Sequence, residues 1–234
     1  MQHLPTHLCD KVDTEKQTTR SLHVGVLALQ GGYHEHKVML AKLGCDVHEI
    51  RQLEHLQARE YDALVIPGGE STTMGHLALR LNLLQPLRDF VKSGRPVMGT
   101  CAGLIFLADN VAGQKEGGQQ LVGGLDVKVR RNFFGSQVDS FETNLDTKLR
   151  KEPVPAVFIR APAILSTGPS VSILASVEIP ADADMPQGDT PKYAPVAVQQ
   201  GCILGVAFHP ELTTDYTWHS HFVNLCSKAK ATSS

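Results

Sequence analysis

The chain lacks most of the features that mark specialised protein classes. It has five cysteines in 234 residues (Cys9, Cys45, Cys101, Cys202, Cys226), an odd, dispersed set with no C-x-x-C pair. That excludes a disulfide framework or a cysteine zinc site and points to a reducing, cytoplasmic location. No apolar run approaches membrane-spanning length. The first residues hold no apolar signal core and include acids, so neither secretion nor import is expected. The net charge is −2 with histidines neutral, which offers no basic face to nucleic acid or an anionic membrane. The eleven histidines are scattered without metal-ligand spacing, so no metal site is expected. No internal repeat is present. What remains is ordinary: 42% hydrophobic and 20% charged residues, the composition of a soluble globular chain.

Residues 1–21 are polar and aperiodic and read as a flexible extension. Residues 22–234 then read as a single domain. Leu22 to Leu29 is a continuous apolar run closed by Gln30-Gly31-Gly32, which predicts a buried parallel strand and a loop. Helical spacing at Val38, Leu40, Ala41 and Leu43 predicts a helix over 33–43. Cys45–Ile50 and Asp62–Ile66 predict strands, the latter opening into Pro67-Gly68-Gly69-Glu70. Ser71 is the expected N-cap of a helix over 72–81, and a second helix is expected over 84–92. A strand and an apolar helix follow around Cys101. This alternation predicts an α/β fold, an open, mostly parallel sheet sandwiched by helices.

The texture changes after Asn110. Residues 113–124 are glycine-rich, and 125–131 alternate apolar and charged residues as a half-exposed strand does. Further strands are expected over 157–160 and 171–177. Residues 196–199 and 202–208 read as a hairpin about Gln200-Gly201, so the C-terminal half carries a few antiparallel strands. Residues 178–195 hold four prolines and several aspartates, which predicts a surface insertion. A closing helix is expected over 215–228.

Three stretches carry chemistry. Gly99-Thr100-Cys101-Ala102-Gly103 joins strand to helix in the pattern G-x-C-x-G, the thiol counterpart of a serine nucleophile elbow. The glycines allow close backbone approach, and the helix N-terminus favours a thiolate. On this stretch alone a buried structural cysteine is an equal alternative. Phe208-His209-Pro210-Glu211 supplies a base and its orienter. Pro210 favours an extended His209, and residues i and i+2 of an extended chain share a side. Glu211 is therefore expected beside His209, with the other ring nitrogen facing Cys101. The third stretch is the glycine turn after Ile66, where the N–H groups of Gly69 and Ala102 are candidates for an oxyanion hole. A phosphate loop is the competing use of that turn, but its Walker lysine is absent. Gln30 either lines the same rim or solvates its loop.

These pieces together resemble the class I (triad) glutamine amidotransferases, over roughly residues 22–228. The closest resemblance within them is to the glutaminase subunits of pyridoxal 5′-phosphate synthase. It rests on Leu29-Gln30-Gly31, Pro67-Gly68-Gly69-Glu70-Ser71-Thr72-Thr73, Gly99-Thr100-Cys101-Ala102-Gly103, Arg131-Asn132-Phe133-Phe134-Gly135, Gln137-Val138-Asp139-Ser140-Phe141, Phe158-Ile159-Arg160-Ala161-Pro162 and Phe208-His209-Pro210-Glu211-Leu212-Thr213. The resemblance implies a Cys101-His209-Glu211 triad that hydrolyses L-glutamine to L-glutamate and ammonia. It implies that Gly68, Gly69, Glu70, Arg131, Ile159 and Arg160 bind glutamine, Glu70 at the charged amino end. The ammonia passes to a separate synthase subunit, the expected protein partner, for vitamin B6 synthesis. No cofactor is implied, since the vitamer is a product of the assembly. The alternatives are an amidotransferase feeding another synthase and a non-catalytic binding or redox protein of similar fold.

Overall fold

The computed structural model describes residues 21–113, 118–131, 133, 140–179 and 192–233. The first half alternates strand and helix: β1 (His23–Leu27), α1 (Tyr33–Lys42), β2 (Asp46–Ile50), α2 (Leu53–Gln57), β3 (Ala63–Ile66), α3 (Ser71–Arg80), α4 (Leu84–Lys92), β4 (Val97–Thr100) and α5 (Ala102–Leu107). The second half is mainly strand: β5 (Ala108–Ala112), β6 (Leu125–Arg130), β7 (Ser140–Leu145), β8 (Val154–Ile159), β9 (Ala163–Thr167), β10 (Ser172–Glu178), β11 (Tyr193–Gln200) and β12 (Ile203–Val206). A 3-10 turn (Pro210–Leu212) and α6 (Thr217–Ser233) close it.

The main sheet has the order β10-β11-β12-β4-β3-β1-β2. The five strands from β12 to β2 are parallel, and the β10-β11-β12 meander adds two antiparallel pairings at one edge. Its central strands β3, β4 and β12 are buried along their whole length, as strands covered on both faces must be. The chain winds outward from β1 in one direction to β2 and from β3 in the other to β4. Right-handed crossovers in opposite directions put their helices on opposite faces. Accordingly α1 packs with α6, while α3 packs with α4 and α5. The winding reverses between β1 and β3, the place where open α/β sheets bind ligands beyond the strand ends.

Register then brings distant segments together. Gly99 pairs with Gly205 and Thr100 with Val206, so β4 and β12 end side by side. A three-stranded sheet β5-β6-β9 and the β7-β8 ribbon complete the fold. An aromatic row ties that ribbon to α6: Phe141 stacks on Phe158, Phe158 leans on Phe208, and Phe208 meets Trp218 edge-on, with centroids 4.5, 5.4 and 5.2 Å apart.

Several expectations need correction. Glu70, not Ser71, caps α3, because its carboxylate accepts from the Thr72 and Thr73 N–H groups while Ser71 Oγ turns to Gln119. The inward face of α1 is His36, Met39 and Leu40, whereas Val38 is exposed. The apolar run after Cys101 is helical only to Leu107 and continues as β5. The proposed insertion over 178–195 is bounded by structure: Glu178 ends β10 and Tyr193–Pro195 begin β11, where Pro195 faces Ser176 beside a register shift. A proline is tolerated at such an irregularity. The α6 helix starts at Thr217, with Asp215 accepting the Thr217 N–H. The expected extension before Ser21, the centre of the expected insertion (180–191), positions 114–117 of the glycine-rich stretch and positions 132 and 134–139 lie outside the described residues.

Candidate active site

Cys101 stands at the C-terminal edge of the sheet with φ 49° and ψ −106°. An L-residue in this region stores about 1–3 kcal/mol of strain, which the surroundings must hold. They do so by close backbone packing. The Cys101 N–H donates to the Val206 carbonyl at 2.8 Å. A Cβ on Gly103 would collide with the Ile66 carbonyl, and one on Gly99 would stand 2.7 Å from Gly103 O. The two glycines of the motif are thus demanded by contact between β3, β4 and α5.

His209 follows β12 by three residues, and its N–H is fixed to Val157 O of β8 at 2.8 Å. Its ring lies with Cys101 on the same side of Gly68, both lining one cleft, and its Nδ1 lies 2.8 Å from Glu211 Oε1. The pairing comes about differently from the extended-chain expectation. Pro210–Leu212 coil into the 3-10 turn, and that turn folds the Glu211 carboxylate back under the ring. Burial disfavours a charged imidazole, but hydrogen bonds and charge from Cys101 and Glu211 outweigh it and push His209 up to about 10. Glu211 has a fully buried side chain. Burial opposes its charge too, yet His36 and His209 hold it well below the usual carboxylate range.

The three residues open on a cleft of about 430 Å³. Gly69, Glu70, Ala102, Arg131, Ile159 and Arg160 line it as well. Gly68 and Gln30 act from behind: a Cβ on Gly68 would meet His209 Cε1 at 2.5 Å, and Gln30 Nε2 donates to Glu70 O, pinning the glycine turn. Gly69 itself has φ 132°, which only glycine adopts freely. Glu70 Oε2 accepts from the Thr73 N–H and hydroxyl, and Oε1 from the Thr72 N–H. Against the cost of burial, these bonds bring Glu70 down to about 2. Arg131 Nη1 donates to Thr72 Oγ1 at 2.8 Å and to Gln119 Oε1 at 3.3 Å. Of the two adjacent arginines, Arg131 rather than Arg130 reaches the cleft. Ile159 sets its carbonyl 3.9 Å from Cys101 Sγ, and Arg160 next to it has φ 45°.

The chain matches the SNO glutamine amidotransferase family over residues 26–228. It belongs to that family. Among relatives of this amidotransferase is an Arabidopsis thaliana protein named "Probable pyridoxal 5′-phosphate synthase subunit PDX2". It is 50% identical over 218 residues, 86% of this chain and 85% of that protein. The pyridoxal 5′-phosphate synthase subunit PdxT of Leifsonia xyli subsp. xyli is 48% identical over 204 residues, 87% and 95% of the two chains. A crystal structure of a glutamine amidotransferase, 42% identical, superposes with a TM-score of 0.74 over 87% of this chain and 98% of that one.

Two groups of histidines in the amidotransferase escape linear inspection. His36 and His219 are fully buried behind Glu211. Each sits on the inward face of its helix, His36 one turn before Leu40 and His219 between Trp218 and Phe222. A histidine in such a position needs a partner, which was the available signal. The other group is His23, Asp46 and His48, the one metal-type trio among the described residues, with donor atoms within 4.8 Å of one another. Strand pairing of His23 with Asp46 creates it, at the N-terminal end of β1 and away from the triad. The Arg59 guanidinium already lies 2.7 Å from His48 Nε2 and 3.6 Å from Asp46 Oδ2, supplying the cation there.

Proposed function

We propose that this chain is the glutaminase subunit of a pyridoxal 5′-phosphate synthase, with Cys101 as nucleophile, His209 as general acid and base, and Glu211 as its orienter. The observation that carries the assignment is the meeting, in one cleft beside Gly68, of strained Cys101 with a His209 whose Nδ1 is 2.8 Å from a buried carboxylate. The Cys101 thiolate attacks the side-chain amide carbon of L-glutamine, and the carbonyl oxygen becomes an oxyanion facing the N–H groups of Gly69 and Ala102. Ala102 opens α5, and first-turn N–H groups have no helical acceptor. The His209 imidazolium protonates the leaving nitrogen, so ammonia departs and a γ-glutamyl thioester remains. Neutral His209 then takes a proton from water, which attacks the thioester. L-glutamate leaves, and the thiolate–imidazolium pair is restored.

The remaining cleft residues recognise the amino-acid end of glutamine. Glu70 stays anionic, and three of its roughly four lone-pair directions are spent capping α3. The fourth, on Oε1, suits the substrate ammonium. Arg131 and Arg160 offer planar forks to the α-carboxylate, with Ile159 and the Gly68-Gly69 turn forming the walls.

Ammonia in neutral water is mostly protonated and a poor nucleophile, so it must pass directly to an acceptor site. The partner is a separate synthase subunit, a role supported by relatives named as subunits of that synthase. Residues 22–234 serve as one glutaminase domain, with 1–21 an extension and the segment joining β10 to β11 a surface insertion. No helix among the described residues is long and apolar enough to cross a membrane. Cys45, Cys101, Cys202 and Cys226 are free thiols, which supports a cytoplasmic setting. The test is glutamate release by the wild type and by Cys101→Ala, each with and without the synthase subunit. Activity that depends on Cys101 and rises with the partner is expected. A fully active Cys101→Ala chain would refute the assignment.

A further inference from the structure

The triad does not end at Glu211. Its Oε1 takes His209, while Oε2 is buried and lies 3.3 Å from His36 Nε2. The same Nε2 stands 3.2 Å from Thr100 Oγ1, on the residue before the nucleophile. On its other side His36 Nδ1 is 2.9 Å from His219 Nε2. His219 Nδ1 and Glu211 Oε2 are both buried and find no hydrogen-bond partner among the described residues as they stand, and His36 Nε2, 3.3 Å away, is the ion-pair neighbour of that oxygen.

That orphan nitrogen decides where the protons sit. Burial presses His219 down to about 3, so it is neutral and carries one N–H. If that proton were on Nδ1, a buried donor would be left unpaired, the arrangement folded proteins avoid most strictly. The proton therefore belongs on Nε2, where it donates to His36 Nδ1. His36 Nδ1 must then accept, which sends the His36 proton to Nε2, between Thr100 Oγ1 and Glu211 Oε2.

We infer that His36 is a positioning residue of the glutaminase reaction: its Nε2–H, held in that tautomer by His219, locks the outer oxygen of Glu211 and thereby the ring of His209. The inference rests on the triad assignment above. Without the His36 donor, a buried carboxylate oxygen loses its compensation, and the carboxylate is free to rotate away from His209. On the opposite side stands Gly32, which has no side chain to offer and is so close that a Cβ on it would stand 2.7 Å from Glu211 Oε1. His36 also touches both arms of the site, the carboxylate through Glu211 and the elbow through Thr100.

The experiment compares His36→Met, which removes the donor at similar bulk, with His36→Gln, which restores an N–H near the Nε2 position. Cys101→Ala is the control, and all are assayed for glutamate release with the synthase subunit present. His36→Met is expected to lower kcat by roughly 10- to 100-fold with KM for glutamine unchanged, as loss of a supporting hydrogen bond to a working group does. His36→Gln is expected to recover most of kcat. Wild-type kcat in His36→Met, or equal losses in both variants, overturns the inference while leaving the triad standing if Cys101→Ala is dead. An active Cys101→Ala chain overturns the triad itself. Nitrogen-15 NMR of the wild-type histidines provides a test that needs no variant. His36 and His219 protonated at Nε2 and bare at Nδ1 is the expected pattern, and a proton on His36 Nδ1 contradicts it.

Discussion

His209 and His219 are ten residues apart, both withdrawn from solvent, and driven in opposite directions. His209 is pushed up to about 10 and His219 down to about 3. Burial acts on both in the same sense, against charge. The difference lies in what faces each ring. His209 stands between a thiol that can ionise and a carboxylate 2.8 Å away. His219 faces another imidazole, with Glu211 acting on it only more weakly. One ring is built to hold a proton that chemistry will use. The other is built to stay neutral and orient its neighbour.

The largest way to break this contrast is Cys101→Ala. Glutamate release should fall by roughly 10⁴-fold or more, and His209, having lost its thiol partner, should titrate well below 10 by NMR. Glu211→Gln should come next. It keeps the shape but removes the charge and permits the wrong tautomer, with an expected kcat loss of roughly 10³- to 10⁴-fold. Steady-state kinetics at saturating glutamine read it. Gly68→Ala is a purely steric probe. The added methyl meets His209 Cε1, and displacement of the ring by a fraction of an ångström should cost roughly 10- to 100-fold in kcat.

The smallest effect sharpens the contrast through stability. A depressed histidine binds a proton in the unfolded chain before it does so in the folded one, so its contribution is full above the unfolded value of 6.5 and lost as pH falls toward 3. The depressed Glu211 adds a loss below 4.5. His209 has the opposite sign: its contribution is complete below 6.5 and disappears as pH rises through about 10. His219→Leu should therefore flatten the fall of Tm between pH 6.5 and 4.5 while leaving the alkaline fall intact. An unchanged acid slope would count against a neutral His219.

Much of the site could be read in the chain because its signals are local. An apolar strand, two glycines around Cys101 and a His-Pro-Glu triplet each declare themselves within a few residues. Local inference fell short where geometry depends on distant partners. Glu211 reaches His209 through a 3-10 turn, and the α3 cap passes from Ser71 to Glu70 because Gln119, far along the chain, engages the serine hydroxyl. The expected helix over 33–43 took Val38 as inward. The structure gives that face to His36, a polar residue whose burial makes sense only once His219, 183 residues later, is beside it. Strands β5, β7 and β9 were missed for a related reason. Their pairing partners, rather than their own composition, make them strands.

The central claim is that His209 shares a proton-holding site with Cys101 and Glu211. The direct measurement is an NMR titration of the His209 ring in the wild-type chain from pH 5 to 11. The account predicts that the ring stays protonated through neutrality and releases its proton only near pH 10. A midpoint near 6.5, that of an ordinary histidine, would contradict it.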